Sequence, residues 1–311
     1  MKIRESITLF LKGVAMGGAD VVPGVSGGTI AFITGIYEEL LDSLQALDLQ
    51  SLGLLKALKF KEFWKHINGN FLITLLSGIL ISLFSLVRMI SYLMIHEQIA
   101  LWSFFFGLIL ASTILVFRKI RKWNVGVGLA TIAGTIIAFY ITTFAPAETD
   151  NNLIYIFLSG MLAICAMILP GISGSFILLI LGKYEYIINS VKDFKIDVIL
   201  VFGAGCALGL IAFSRVISWV LHRFHNIAIA VLSGFMIGSL NKIWPWKEVI
   251  EYRINSLGEQ VALYDRSVLP NQYLDITGNN PQFLYALLYT ALGIFIVVAF
   301  ERTTSWISPS K

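Results

Sequence analysis

The fold class the sequence predicts is an all-α integral membrane protein made of two inverted-topology repeats, each half one broken re-entrant helical hairpin plus three transmembrane helices. Three observations predict it: scarce charge, apolar runs of spanning length, and a duplicated Pro-Gly-x-Ser-Gly break. Of 311 residues, 57% are apolar or aromatic and 14% charged, where a soluble domain carries roughly a quarter charged. With mean hydropathy at +0.80, too little polar surface remains to cover a water-soluble body, so lipid must solvate most of the chain. Soluble catalysis is therefore disfavoured, and a net charge of +4 supports no nucleic-acid face. A disulfide scaffold is disfavoured too, because Cys165 and Cys206 both lie inside apolar runs.

The first element, residues 3–47, is apolar but interrupted by Pro23-Gly24-Val25-Ser26-Gly27-Gly28. Proline lacks an amide hydrogen and glycine resists helix, so the helix breaks there. Lys2 and Arg4 ahead of an apolar stretch imitate a signal peptide, but Lys12 interrupts it and a second copy lies mid-chain, so it reads as mature structure. Runs at 70–95, 99–117 and 125–145 follow, each close to the ~20 residues that cross a bilayer core. They close a first half at 1–147. The second half, 148–311, opens with a broken run at 153–192, interrupted by Pro170-Gly171-Ile172-Ser173-Gly174-Ser175. Runs at 198–221, 227–243 and 282–300 complete it, with a polar extracytoplasmic loop at 244–281 that Trp244 and Trp246 are placed to anchor at the interface.

The breaks are copies. At an offset of 147, nine of the sixteen positions from 23 to 38 are identical, among them Pro23/Pro170, Gly24/Gly171, Ser26/Ser173, Gly27/Gly174, Gly35/Gly182, Tyr37/Tyr184 and Glu38/Glu185. Shared hydrophobicity alone gives about one or two, so the chain is duplicated. At an offset of 127, Gly78, Arg88, Gly107 and Ser112 meet Gly205, Arg215, Gly234 and Ser239; at 159, Gly134 meets Gly293.

Loop charge then orients the halves. Arg118-Lys119-Ile120-Arg121-Lys122 is the most basic connection and is expected in the cytoplasm. If each broken element returns to its starting side, Lys2, Arg4, Lys56, Lys59, Lys61, Lys65 and His222-Arg223-Phe224-His225 join it there, with both termini. Acidic Glu148 and Asp150 then lie outside. Pairs of full spans would satisfy the same parity, but arms of 17–23 residues are marginal for spanning at ~1.5 Å per residue, which favours hairpins. Three crossings per half invert the second copy, an architecture of secondary transporters.

A helix broken within a membrane leaves amides unpaired, tolerable only where protein or water covers them, and these amides with the helix dipole attract an anion. Gly24, Ser26, Gly27, Gly28 and Thr29 in one half, and Gly171, Ser173, Gly174 and Ser175 in the other, are the expected phosphate-binding residues: glycines admit the anion and hydroxyls donate to it. A tight hairpin turn is the plainer use of the same residues. Arg88 and Arg215, costly inside apolar runs unless paired or snorkelling, are the expected headgroup cations. Asp20, whose counterpart is Met167, is a candidate for a coupling proton or sodium ion, with the duplicated Glu38 and Glu185 as further candidates. No catalytic set and no metal site is expected; His66, His96, His222 and His225 show no ligand spacing.

The stretch from Gly17 to Thr29, with its copy Leu169-Pro170-Gly171-Ile172-Ser173-Gly174-Ser175, resembles a bacterial membrane family long catalogued as a domain of unknown function and now regarded as polyprenyl-phosphate (undecaprenyl-phosphate) transporters. The resemblance covers essentially the whole chain. It implies that undecaprenyl phosphate, with membrane lipid around it, is the partner, moved from the outer to the inner leaflet of the bacterial cytoplasmic membrane to recycle the carrier of peptidoglycan and other envelope polymers. Alternating access about a central phosphate site would carry it. The motif is also similar to the Pro-Gly-x-Ser-Arg-Ser signature of undecaprenyl-pyrophosphate phosphatases, but Gly27 and Gly174 stand where that arginine would be, and Glu5 and Asp20 are the only carboxylates before the first break. Phosphate binding is therefore easier to support than hydrolysis. A transporter of small soluble anions fits the same repeats.

Overall fold

The computed structural model describes residues 3–22, 25–143, 150–254 and 260–307. α1, Ile3–Asp20, ends before the first break, and α2, Gly27–Ile33, restarts with Ser26 as N-cap, its hydroxyl accepting the Gly28 amide. Gly35, at φ +72°, then turns the chain into α3, Tyr37–Gln45. Glycine takes that conformation without the penalty a Cβ brings. Two short surface helices, α4 (Leu49–Lys56) and α5 (Phe60–His66), lead to the long α6 (Gly69–His96), α7 (Gln98–Phe117) and α8 (Val125–Thr143).

The second half runs through α9 (Leu153–Ile168), α10 (Gly174–Ile180), a turn at Gly182 with φ +64°, α11 (Tyr184–Lys192), α12 (Ile196–Arg223) and α13 (His225–Ser239). Strands β1 (Lys247–Ile254) and β2 (Gln260–Ser267) pair antiparallel, then α14 (Pro270–Thr277) and α15 (Phe283–Ile307) complete the described chain.

Among the described residues five helices, α6, α7, α8, α12 and α15, are long and apolar enough to cross a membrane, which makes this a multi-pass membrane protein. The run expected to span at 227–243 is shorter. α13 has 15 residues, about 22 Å of helix at 1.5 Å per residue, because the chain leaves the helix at Leu240 and turns through Asn241 and Lys242. Each run after a break is likewise two helices of 7 and 9 residues, divided at the turning glycine, and not one long arm. The polar segment expected as a loop holds the β-hairpin and α14. Trp246 and Val268 bury there against Ile99 of α7 and Ala286 of α15.

Four close helix pairs organise the packing: α1 with α6, α9 with α12, α7 with α15, and α8 with α13. Glycine makes each seam possible by letting one backbone reach the next, as small residues do between membrane helices. A Cβ at Gly78 would overlap the Phe10 carbonyl oxygen, and one at Gly205 that of Phe157. Gly107 lies against Thr290 and Gly234 against Thr131; Gly293 lies against Phe104 and Gly134 against Val231. In every case the duplicated glycine meets the duplicated partner at the offsets read from the sequence.

Candidate functional site

The two breaks meet in the core. Ser26 is fully buried; its Oγ donates to the Met167 carbonyl at 2.7 Å while accepting the Gly28 amide at 3.1 Å. Thr29, also fully buried, accepts the backbone N–H of Gly171 at 2.9 Å. Gly28 makes this approach possible, since a Cβ there would stand 2.5 Å from the Ile168 carbonyl oxygen and 2.8 Å from that of Met167. Gly171, at φ +88°, seats the second break on α13, where a Cβ would come 2.9 Å from the Phe235 oxygen and 3.0 Å from Ser239 Oγ.

The two helix N-termini differ in charge. At α2, Asp20 Oδ1 accepts the Gly27 amide at 2.6 Å, so the place where the dipole favours an anion holds the chain's own carboxylate. At α10, Met167 stands in the position corresponding to Asp20. Ser173, the N-cap, is paired hydroxyl to hydroxyl with Ser175 at 2.8 Å and makes no capping bond to the backbone. One N-terminus is thus satisfied by an internal anion, and the other offers neutral hydroxyls.

Two lysines that the sequence places only in arguments about topology, and not at the site, sit at the opposite end of α2. Lys12 Nζ donates to the Thr34 carbonyl at 2.8 Å, and Lys119 Nζ to that of Phe32 at 3.4 Å while lying 5.4 Å from the Phe32 ring centroid. Cations on the last carbonyls complement the dipole. In the sequence Lys12 is an isolated charge within an apolar run and Lys119 one of the basic cluster at 118–122, and neither setting points to α2. Beyond the second motif, Lys242 Nζ lies 4.9 Å from the Phe176 ring centroid and 3.0 Å from Asp265, which Lys247 also reaches at 3.2 Å. Burial works against the Asp265 charge, but the two ammoniums outweigh it and hold this carboxyl below its ordinary range. Burial, with Lys242 adding to it and Asp265 opposing it, brings Lys247 down to about 8.

The expected site residues divide accordingly. Asp20, Ser26, Gly27, Gly28, Thr29 and Gly171 join in one contact network, with Ser173, Gly174 and Ser175 at the adjoining helix start. Arg215 stands exposed on α12, Glu38 exposed on α3, and Glu185 half-buried on α11. Gly24 lies outside the described residues, as does the side chain of Arg88 on α6.

The family model described as undecaprenyl phosphate translocase-like matches residues 16–261. A Vibrio cholerae protein named polyprenyl-phosphate transporter is 46% identical over 301 residues, covering 97% of this chain and 98% of that one. A Staphylococcus aureus protein of the same name is 32% identical over 254 residues, 76% of this chain and 85% of its own. No solved structure matches the chain.

Proposed function

Because the chain belongs to the undecaprenyl phosphate translocase-like family, we propose that it is a polyprenyl-phosphate transporter, returning undecaprenyl phosphate from the outer to the inner leaflet of the bacterial cytoplasmic membrane. The observation that carries the site is the pair of bonds Ser26–Met167 and Thr29–Gly171, which ties two broken helices together inside an apolar protein. Repeats 1–147 and 148–311 act as inverted halves with cytoplasmic termini, their broken segments entering and leaving on the same side. The phosphate binds between the breaks while the polyprenyl chain remains in lipid, and rocking of the halves opens the site to each leaflet in turn.

Asp20 gives the cycle a coupling point. Its carboxylate and the phosphate compete for the amides that start α2, so a proton or sodium ion on Asp20 releases the Gly27 N–H to the substrate, and departure of the phosphate lets the carboxylate return. Arg88 and Arg215 receive the headgroup nearer the two faces. No acid/base pair flanks the motifs in the sequence, and the relatives bear the name of transporters, which supports carriage over hydrolysis.

The test is purified protein in liposomes with labelled undecaprenyl phosphate, scoring leaflet accessibility and phosphate release together. The expected result is redistribution between leaflets with no phosphate released. An unchanged distribution overturns the proposal. Released phosphate would favour the enzyme, and uptake of free phosphate without lipid movement a small-anion carrier.

A further inference from the structure

The two halves part company after α13. The offset between their duplicated residues is 127 before this link and 159 after it, so thirty-two residues are inserted there. The insertion holds the β-hairpin and α14. In the first half the cation just past α7, Lys119, lies over the Phe32 ring of α2 and donates to a backbone carbonyl. Just past α13, Lys242 lies over the Phe176 ring of α10, but its ammonium donates to Asp265, a carboxylate that the insertion supplies. Phe176 directly follows Ser175 of the second motif.

Lys247 opens β1 and joins the same carboxylate. Asp265 Oδ1 accepts from both ammoniums at 3.2 Å, and Oδ2 accepts from Lys242 at 3.0 Å. The two lysine side chains are only 14% and 11% exposed. Two buried ammoniums thus share one carboxylate, a surplus of one positive charge within the trio. A phosphate monoester carries close to two negative charges at neutral pH and offers three acceptor oxygens, so it matches the pair better than a carboxylate does. Asp265 can give way once a phosphate takes its place, because the base of the β-hairpin has further ties. The Val268 amide donates to the Trp246 carbonyl at 3.1 Å, and Trp244 Nε1 donates to the Val268 carbonyl at 2.8 Å.

An apolar groove of about 500 Å³ leads to the same place. Ile136, Phe139 and Tyr140 of α8 line it with Ile237 and Gly238 of α13, and Asn241 stands at its end. Asn241 belongs to the lysine cluster as well. Its carbonyl accepts Lys247 Nζ at 2.9 Å, and its side-chain oxygen accepts Ser267 Oγ at 3.0 Å. A hydrocarbon chain lying in the groove brings its end group to the lysines, so a lipid with a doubly charged head complements both parts.

We propose that Lys242 and Lys247 form an outer receiving site for the phosphate of undecaprenyl phosphate. The first part of the polyprenyl chain lies in the groove between α8 and α13, and Asp265 holds the place of the phosphate until the lipid arrives. The outer position and the choice of lipid rest on the transport reading above. The match of a phosphate monoester to two ammoniums does not.

The experiment measures equilibrium binding of radiolabelled undecaprenyl phosphate to the full-length protein in detergent. Lys242→Met and Lys247→Met should each weaken binding by about tenfold or more. Asp265→Asn should tighten it several-fold, because the internal competitor loses its charge. These opposite signs separate a phosphate site from a cluster that only braces the β-hairpin, where all three changes loosen one structure and weaken binding together. Weaker binding in all three variants, or wild-type binding in the lysine variants, overturns the site. Melting in detergent is the second measurement: undecaprenyl phosphate should raise the Tm of Asp265→Asn most and that of Lys247→Met least, and equal shifts overturn the site. Phosphatidylglycerol, a singly charged diester, and inorganic phosphate, which has no chain, should each compete about tenfold or more weakly than unlabelled undecaprenyl phosphate. Parity of the diester overturns the selectivity assigned to the lysine pair, and parity of inorganic phosphate overturns the part assigned to the groove. If the binding signs hold while liposomes show no lipid movement, the transport reading fails and the site stands. If lipid moves while the lysine variants bind as wild type does, the site fails and the transport reading stands.

Discussion

The hydroxyl of Thr29 accepts the backbone N–H of Gly171 at 2.9 Å, joining residues 142 positions apart and satisfying a buried amide that the second break has freed from its helix. Thr29→Val keeps the shape and removes the acceptor, so the Gly171 amide is left buried without a partner, at about 1–3 kcal/mol. Thr29→Ser retains the oxygen and should cost far less. Thermal unfolding in detergent compares the two, and equal melting of Val and Ser variants would show that the bond contributes nothing.

Gly28 is the second point of contact between the breaks. A methyl group there meets the Ile168 and Met167 carbonyls at 2.5 and 2.8 Å, both backbone atoms that cannot swing aside. Gly28→Ala should lose about 1–3 kcal/mol by overpacking and separate the motifs. Gly53 is the control: a Cβ added there meets nothing within 4 Å, so Gly53→Ala on α4 should be neutral or gain up to ~1 kcal/mol from helix propensity. Melting temperatures that move in the same direction for both variants would contradict this account.

The bond from the Gly27 amide to Asp20 Oδ1 allows folding and the proposed coupling to be tested separately. Asp20→Asn keeps an oxygen for the Gly27 amide and removes the charge, so the protein should fold while transport loses its dependence on the coupling ion. Asp20→Leu leaves the amide unpaired as well and should destabilise by about 1–3 kcal/mol. Flipping measured with and without an imposed proton or sodium gradient decides the matter. Wild-type gradient dependence in Asp20→Asn rules out coupling through this residue.

The β-hairpin should respond to pH through Lys247. Burial lowers its folded pKa to about 8 from 10.5, so between those values the unfolded segment binds more protons than the folded one, and stability rises with pH across that interval. Lys247→Met removes the titrating group. Trp246, buried beside this cluster, reports local melting by its fluorescence. The hairpin's melting point in the wild type should climb relative to Lys247→Met from pH 8 toward 10.5, and parallel curves for the two proteins would exclude the effect. Asp265→Asn, which leaves two buried ammoniums facing each other, should loosen the hairpin at neutral pH by about 3 kcal/mol.

Identity at a fixed offset needs no knowledge of three-dimensional contacts, and this is why the duplication was legible. Gly78 and Gly205, matched on paper, do the same work against Phe10 and Phe157. The long spans were legible because length and apolarity are local properties. The bends at Gly35 and Gly182 were harder, since helices of 7 and 9 residues on either side share the apolar character of a single arm. The β-hairpin was invisible to periodicity. Its strands mix Lys, Glu, Arg and Asp with apolar residues, and it is held at its base by the Lys242–Asp265–Lys247 cluster, which no local pattern announces. Asp20 was legible as an exception among apolar residues, but its bond to Gly27 exists only once the chain folds back across the break. The exposed setting of Arg215 was not legible, because α12 is apolar on nearly every face and periodicity assigns no inner side.

The seam between α7 and α15 carries a consequence for biogenesis. Thr290 donates to the Ser103 carbonyl across 187 residues, beside the glycine approaches of Gly107 and Gly293. α7 therefore leaves the ribosome long before the helix that fits it exists. Until α15 is synthesised and inserted, that groove stays open to lipid, so a helix of the first half is completed only by a helix of the second.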